Sequence, residues 1–111
     1  MRELDFRYPD CPIRNILSRM SDKWSYLILN NLSQNGVMRY KDLSGAIPDI
    51  SQKMLSSTLK RLVEDRLIKR KMYNEIPPRV EYSLTKTGME LMPAMGMMID
   101  WALEHFEVIT K

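Results

Sequence analysis

Cysteine and histidine each occur once among 111 residues, at Cys11 and His105. A single cysteine rules out an intramolecular disulfide framework and leaves a cysteine-based zinc site without ligands. A single histidine means that any Ser-His-Asp arrangement would have to recruit His105, and no GxSxG turn accompanies it. Glycine is also scarce. The four glycines stand far apart and make neither a Walker nor a dinucleotide-binding pattern. No apolar run approaches the ~20 residues needed to span a bilayer. The opening MRELDFRYPDCPIRN lacks the hydrophobic segment of a secretory signal. The absences lead to an expectation of a cytoplasmic protein with no membrane partner, no catalytic residues, no cofactor and no metal.

What is present is a chain long enough for one domain and one modest core, at 44% hydrophobic and 28% charged residues. The net charge of +3 is uneven. Residues 37–84 hold ten Lys/Arg against six Asp/Glu, while residues 85–111 hold two against four. Positive charge therefore gathers in the middle of the chain, as a basic face toward an anionic partner requires.

Within that middle lies SQKMLSSTLKRLVED, Ser51 to Asp65. Leu55, Leu59, Leu62 and Val63 fall at helical spacing and mark a face to bury. The polar face carries Ser51, Gln52, Lys53, Ser56, Ser57, Lys60 and Arg61, with no carboxylate before Glu64. A solvated helix face usually mixes charge signs, because Glu–Lys pairs at i, i+4 support it. An acid-free face of hydrogen-bond donors suits an anion instead.

The flanking elements follow from caps and periodicity. Pro12 suits the first turn of a helix with Ile13, Ile16, Leu17 and Met20 as its apolar stripe. Asp22 caps a second helix bearing Trp24, Leu27, Ile28 and Leu32, ended by Asn35-Gly36. Val37 to Arg39 is a short extended piece. YKDLSGAI is one or two helical turns, with Leu43 and Ala46 facing inward, stopped by Pro48. Ser51 then caps the helix described above, running to about Arg66. A hairpin follows, Ile68–Tyr73 and Val80–Leu84 around NEIPPR, its second strand alternating Val80, Tyr82, Leu84 against Glu81, Ser83. In the first strand Arg70 breaks the alternation, and its basic residues are read as surface charge. Thr85 caps a last helix to about Ile109, with a seam of Met92, Met95, Ile99, Ala102, Phe106 and Ile109 in alternating steps of three and four. Pro93 is expected to kink that helix or mark a join. Two short helices joined by IPDI and followed by a hairpin make a winged helix-turn-helix, in an α+β, mostly helical fold. The whole chain, 1–111, is one winged-helix domain: 12–20 and 86–109 as dimerisation helices, 40–66 as helix-turn-helix, 68–84 as wing.

CPIRNIL, DKWSYLIL, RYKDL, ISQKMLSSTLKRLVEDRLIKR, EIPPRVEYSLTKTG and Trp101 together resemble the HxlR-type regulators, a branch of MarR-like bacterial winged helices. The resemblance runs from about Cys11 to Trp101. It implies a cytoplasmic homodimer that binds double-stranded operator DNA through a pair of winged helices, the dimer built from the N-terminal and the long C-terminal helices. Some members of that family sense oxidants or quinones through a cysteine at the place of Cys11.

The residues expected at DNA are these. Gln52 would pair with adenine and Lys53 with guanine acceptors, beside Ser51, Ser56 and Ser57 in the half of the helix that approaches base edges. Lys60 and Arg61 suit phosphates, as do Arg39 and Lys41 at the preceding helix. Arg79, after two prolines, would reach a narrow minor groove from the wing tip, the alternative being an ion pair with Glu75 or Glu81. The dimer interface is expected at Ile13, Ile16, Met95, Ile99, Ala102, Phe106 and Ile109. Trp24 belongs to the core, Trp101 packs on the partner subunit, and His105 is a surface or interface residue. Cys11 at a helix start beside Arg14 is the candidate redox site. Two alternatives stand beside this reading. One is a small-ligand effector pocket lined by Met89, Met92, Met95, Met97 and Met98. The other is a winged helix that binds protein rather than DNA.

Overall fold

The computed structural model describes residues 12–20 and 22–111, with the side chains of 12–14 and 20 left aside. Its elements are α1 (Pro12–Met20), α2 (Lys23–Asn35), β1 (Val37–Met38), α3 (Tyr40–Ala46), α4 (Gln52–Glu64), β2 (Ile68–Tyr73), β3 (Arg79–Leu84), α5 (Lys86–Glu104) and α6 (Phe106–Ile109). Three helix starts are capped as their residue types dictate. Asp22 accepts from the Ser25 amide at 2.6 Å, Ser51 Oγ from Met54 at 3.0 Å, and Thr85 Oγ1 from Gly88 at 3.0 Å. Each satisfies an amide that the first helical turn leaves without an intrahelical acceptor.

The ends are equally specific. Gly36 takes φ 82° after α2 and returns its amide to Leu32 at 2.8 Å. α4 stops at Glu64 rather than running to Arg66, because Arg66 adopts φ 63° and cannot continue a right-handed helix. The amides of Arg66 and Leu67 then bond Val63 and Leu62, a left-handed cap built on arginine where glycine is usual. That turn launches β2 back along the body.

The sheet has the order β1-β3-β2, antiparallel throughout, with Ile68 opposite Leu84, Arg70 opposite Tyr82 and Met72 opposite Val80. The second hairpin strand begins at Arg79, one residue before the expected Val80. The core joins Ile28, Leu29 and Leu32 of α2, Leu43 of α3, and Leu55, Leu59 and Leu62 of α4 to Ile68, Leu84 and Met95. Each such side chain, fully removed from water, contributes roughly 1.5–3 kcal/mol. Trp24 and Leu27 pack partly buried against it. Of the two inward residues expected in α3, Leu43 is buried while Ala46 is exposed, and Ile47 in the turn fills that place.

Two expectations about the tail are corrected. Met95 is 5% exposed and belongs to the core of its own chain, because the first half of α5 lies on α2 and the sheet. It is therefore unavailable to a dimer seam. The final helix is also divided. α5 runs unbroken through Pro93 to Glu104, and His105, at φ −108° and ψ 12°, interrupts it before α6. The His105 ring stacks on Trp101 at 4.5 Å and its Nδ1 lies 2.9 Å from the Trp101 carbonyl. Among the described residues, no helix is long and apolar enough to cross a membrane.

Candidate nucleic-acid interface

α3 and α4 are held together at the end where both begin. The Tyr40 hydroxyl donates to the Gln52 carbonyl at 3.1 Å, and Ser56 Oγ lies 3.4 Å from Tyr40 Oη. Leu43, Ile47 and Ile50 lock the turn between the helices into the core. α4 consequently buries Leu55, Thr58, Leu59 and Leu62 and exposes Gln52, Lys53, Ser56, Ser57 and Lys60. Tyr40 was not among the residues expected at the site. Its helical start beside Arg39 and Lys41 carried no signal that its hydroxyl would reach twelve residues on.

The polar residues of α4 divide by occupation. Ser51 Oγ accepts at the cap and keeps its proton free, while Ser57 Oγ donates to the Met54 carbonyl at 3.2 Å. The side chains of Gln52, Lys53 and Lys60 are engaged by nothing among the described residues, and the same holds for Lys41. Arg39 heads α3, its amide donating to Asp42 at 3.0 Å, with an exposed side chain. Met54, 40% exposed on the same helix, is an apolar group that the polar pattern concealed. Such a side chain suits the methyl of a thymine.

Arg61 is a correction. Its guanidinium turns away from the exposed face to Asp22 at 2.9 Å and to the buried hydroxyl of Ser25. The reason is angular. Residues 58, 61 and 62 share one stripe of α4, so Arg61 lies beside buried Thr58 and Leu62 and faces the start of α2. Burial of the Asp22 carboxyl would raise its pKa, but the Ser25 hydrogen bonds and the Arg61 charge outweigh that and hold it below the usual value. A second pair, Arg19 with Asp65, ties α1 to the end of α4.

Arg79 is corrected as well. It is the first residue of β3, not the loop tip, and it is already neutralised within the wing. It pairs with Glu75 at 3.3 Å and Glu81 at 3.4 Å, with its guanidinium 3.9 Å from the Tyr73 ring. Sequence-local acids at i−4 and i+2 had already offered that pairing.

Of the residues expected at a dimer seam, Ile16, Phe106 and Ile109 are each about half exposed or more, and Ile99 and Ala102 are partly buried. Met97, Met98, Trp101, Leu103 and Val108 extend the exposed apolar surface of the tail. The side chain of Ile13 and the whole of Cys11 lie outside the described residues.

Comparison with known proteins agrees with this architecture. Residues 19–110 match the family model described as HxlR-like helix-turn-helix. A Fusobacterium mortiferum chain named MalR is 43% identical over 95 residues, covering 86% of this chain and 90% of that one. The redox regulator HypR in its reduced form superposes with TM-score 0.81 at 30% identity, over 89% of this chain and 97% of that one. The reduced transcriptional regulator YodB from Bacillus subtilis superposes with TM-score 0.73 at 35% identity, over 83% and 90%. YodB has also been solved after diamide treatment.

Proposed function

The chain belongs to the HxlR-like helix-turn-helix family and is a transcriptional regulator with a helix-turn-helix DNA-binding domain; on that premise we propose that it acts in the cytoplasm as a homodimer reading a pseudo-palindromic operator. The carrying observation is the face of α4. Gln52, Lys53 and Lys60 stand exposed with no partner among the described residues, on a helix fixed by its buried side and by Tyr40. Gln52 and Lys53, in the first turn, are placed to meet base edges, with Met54 and Ser56 beside them. Lys60, together with Arg39 and Lys41, meets phosphate. Ser51, an acceptor at the cap, keeps its hydroxyl proton to donate to DNA, whereas Ser57 spends its proton on the Met54 carbonyl and is left as an acceptor.

The dimer is carried by the exposed apolar surface of α1, the second half of α5 and α6, with Ile16, Ile99, Ala102, Phe106 and Ile109 in it. A large apolar patch on a small domain is what association covers. Two recognition helices related by a twofold would enter successive major grooves roughly 34–36 Å apart. The likeness to HypR and YodB supports a further element, an oxidant or electrophile response through Cys11. A thiol at the start of a dimer helix, once modified, would alter the spacing of the recognition helices.

The test is in vitro selection of bound duplexes followed by anisotropy titration. The expected product is a pseudo-palindrome. Gln52→Ala and Lys53→Ala should relax preference at particular bases by ~1–3 kcal/mol each. Retention of full affinity and preference by the double variant would remove α4 from the interface.

A further inference from the structure

Between α4 and the hairpin lies a cleft of about 370 Å³ whose lining includes Tyr40, Ser56, Lys60, Glu64, Arg70 and Tyr82. Arg70 reaches it because the register sets Arg70 opposite Tyr82, on the same face as buried Ile68 and Leu84. The break in strand alternation therefore has a structural meaning. The sheet face that covers the core further back is, at Arg70, the wall of an open cleft. Lys60 and Arg70 face this cleft from different elements, and neither enters an ion pair or hydrogen bond among the described residues. Arg79, by contrast, is held between two carboxylates.

We propose that this cleft is the seat of a DNA backbone phosphodiester, with Arg70 as its strand-borne ligand and Lys60 as its helix-borne one. The inference rests on the reading of α4 as the recognition helix. Lys60 lies eight residues beyond Gln52, about 12 Å along the axis at 1.5 Å per residue. The major groove is about 12 Å wide and ~8.5 Å deep. If Gln52 touches base edges, Lys60 stands at the groove rim, where the sugar-phosphate strand runs. β2, which carries Arg70, packs against the same helix, so a sugar-phosphate strand at the groove rim would pass between helix and wing, over the cleft. An arginine there can grip two phosphate oxygens at once, which a lysine cannot. Ser56 holds Tyr40 only at 3.4 Å and can turn its hydroxyl to an anion. Glu64, also in the lining, opposes the anion, so its neutralisation should act in the opposite direction.

The experiment titrates wild type, Arg70→Ala, Arg70→Gln, Lys60→Ala, Glu64→Gln and Lys53→Ala against a selected operator duplex and a random duplex, from 50 to 200 mM salt. Folding of each is checked by circular dichroism. Loss of one phosphate contact should lower the slope of log K against log salt by ~0.9, so the deficit of Arg70→Ala shrinks roughly threefold across that range. It should weaken both duplexes alike, and Glu64→Gln should tighten both. A neutral methylphosphonate at the linkage bounding the half-site should weaken wild type and leave Arg70→Ala nearly unchanged, which tests the idea even where a variant folds poorly.

An unchanged slope for Arg70→Ala, with Lys53→Ala weakened on operator, overturns the cleft and leaves α4 standing. Unchanged binding for Lys53→Ala as well overturns the recognition-helix reading itself. A deficit confined to operator would make Arg70 a base contact and overturn the phosphate assignment. A saturable, Arg70-dependent NMR shift with millimolar inorganic phosphate, without any salt-slope change on DNA, would make the cleft a free-anion site instead.

Discussion

Gly88→Ala should loosen the joint between the tail and the DNA-binding body. Gly88 is buried in the first turn of α5, and a Cβ placed there would sit 2.1 Å from the Leu67 carbonyl oxygen and 3.4 Å from Leu84 Cδ2. An ordinary carbon–oxygen approach is ~3.3 Å, so α5 must withdraw by roughly 1 Å. The obstacle is backbone, already bonded to the Thr85 amide at 3.1 Å, with the Thr85 hydroxyl pinning the adjoining Arg66 carbonyl at 2.7 Å, so it cannot swing aside. Alanine gains ~1 kcal/mol of helix propensity over glycine. Against that stand overpacking, at ~1–3 kcal/mol or more, and weakened Thr85 hydrogen bonds of ~1 kcal/mol. A net loss of roughly 2 kcal/mol would lower Tm by about 10 °C in a domain of this size. Urea and thermal unfolding measure the stability. Gly96→Ala in the same helix, with nothing within 4 Å of its added Cβ, serves as the control and should be neutral or stabilising. Operator affinity should fall for Gly88→Ala alone, since a tilted tail changes the separation of paired recognition helices. A Gly88→Ala protein as stable as wild type would refute the seating of α5 on the Leu67 carbonyl.

Phe106→Asp with Ile99→Asp should yield monomers that bind a full operator far more weakly, because the second half-site contact becomes intermolecular; sedimentation showing an intact dimer would end that assignment. Arg61→Ala should lower stability while leaving the salt slope of DNA binding unchanged, since its guanidinium serves Asp22 and Ser25. Asp22 is held below the ~3.9 of an unfolded aspartate, so its contribution is complete above that pH and drains as pH falls through the folded value. Removing Arg61 weakens that hold, and acid unfolding followed by circular dichroism should begin at higher pH than in wild type; superimposable acid curves would contradict it. Operator binding should be lost on diamide treatment of wild type and retained in Cys11→Ser, whereas equal binding with Cys11 shown by mass spectrometry to be modified would reject the sensing role.

The element order as far as α5, the three side-chain caps and the winged helix-turn-helix were all legible in the chain, because caps and amphipathic periods are local chemistry; the break at His105 was not. Asp22, Ser51 and Thr85 each act on an amide three residues away, and Ser51 to Asp65 displays its two faces in one line of letters. The destination of long charged side chains was not legible, since that depends on which element lies opposite. Arg61 read as a phosphate ligand until α2 brought Asp22 and Ser25 across to it, thirty-nine and thirty-six residues away. Arg79 left two readings open, a groove arginine or a partner of Glu75 and Glu81, and only the closed hairpin, with Tyr73 beneath the guanidinium, decided for the second. Met95 fitted a heptad seam as well as any neighbour, and only the packing of α5 on α2 turned it inward. Arg70 looked like a flaw in a strand pattern, and strand register turned it into the wall of a cleft beside Lys60. Period and capping act within a turn or two of chain and survive in one dimension. Pairing between distant side chains is set by the packing of whole elements, which appears only once the chain is folded.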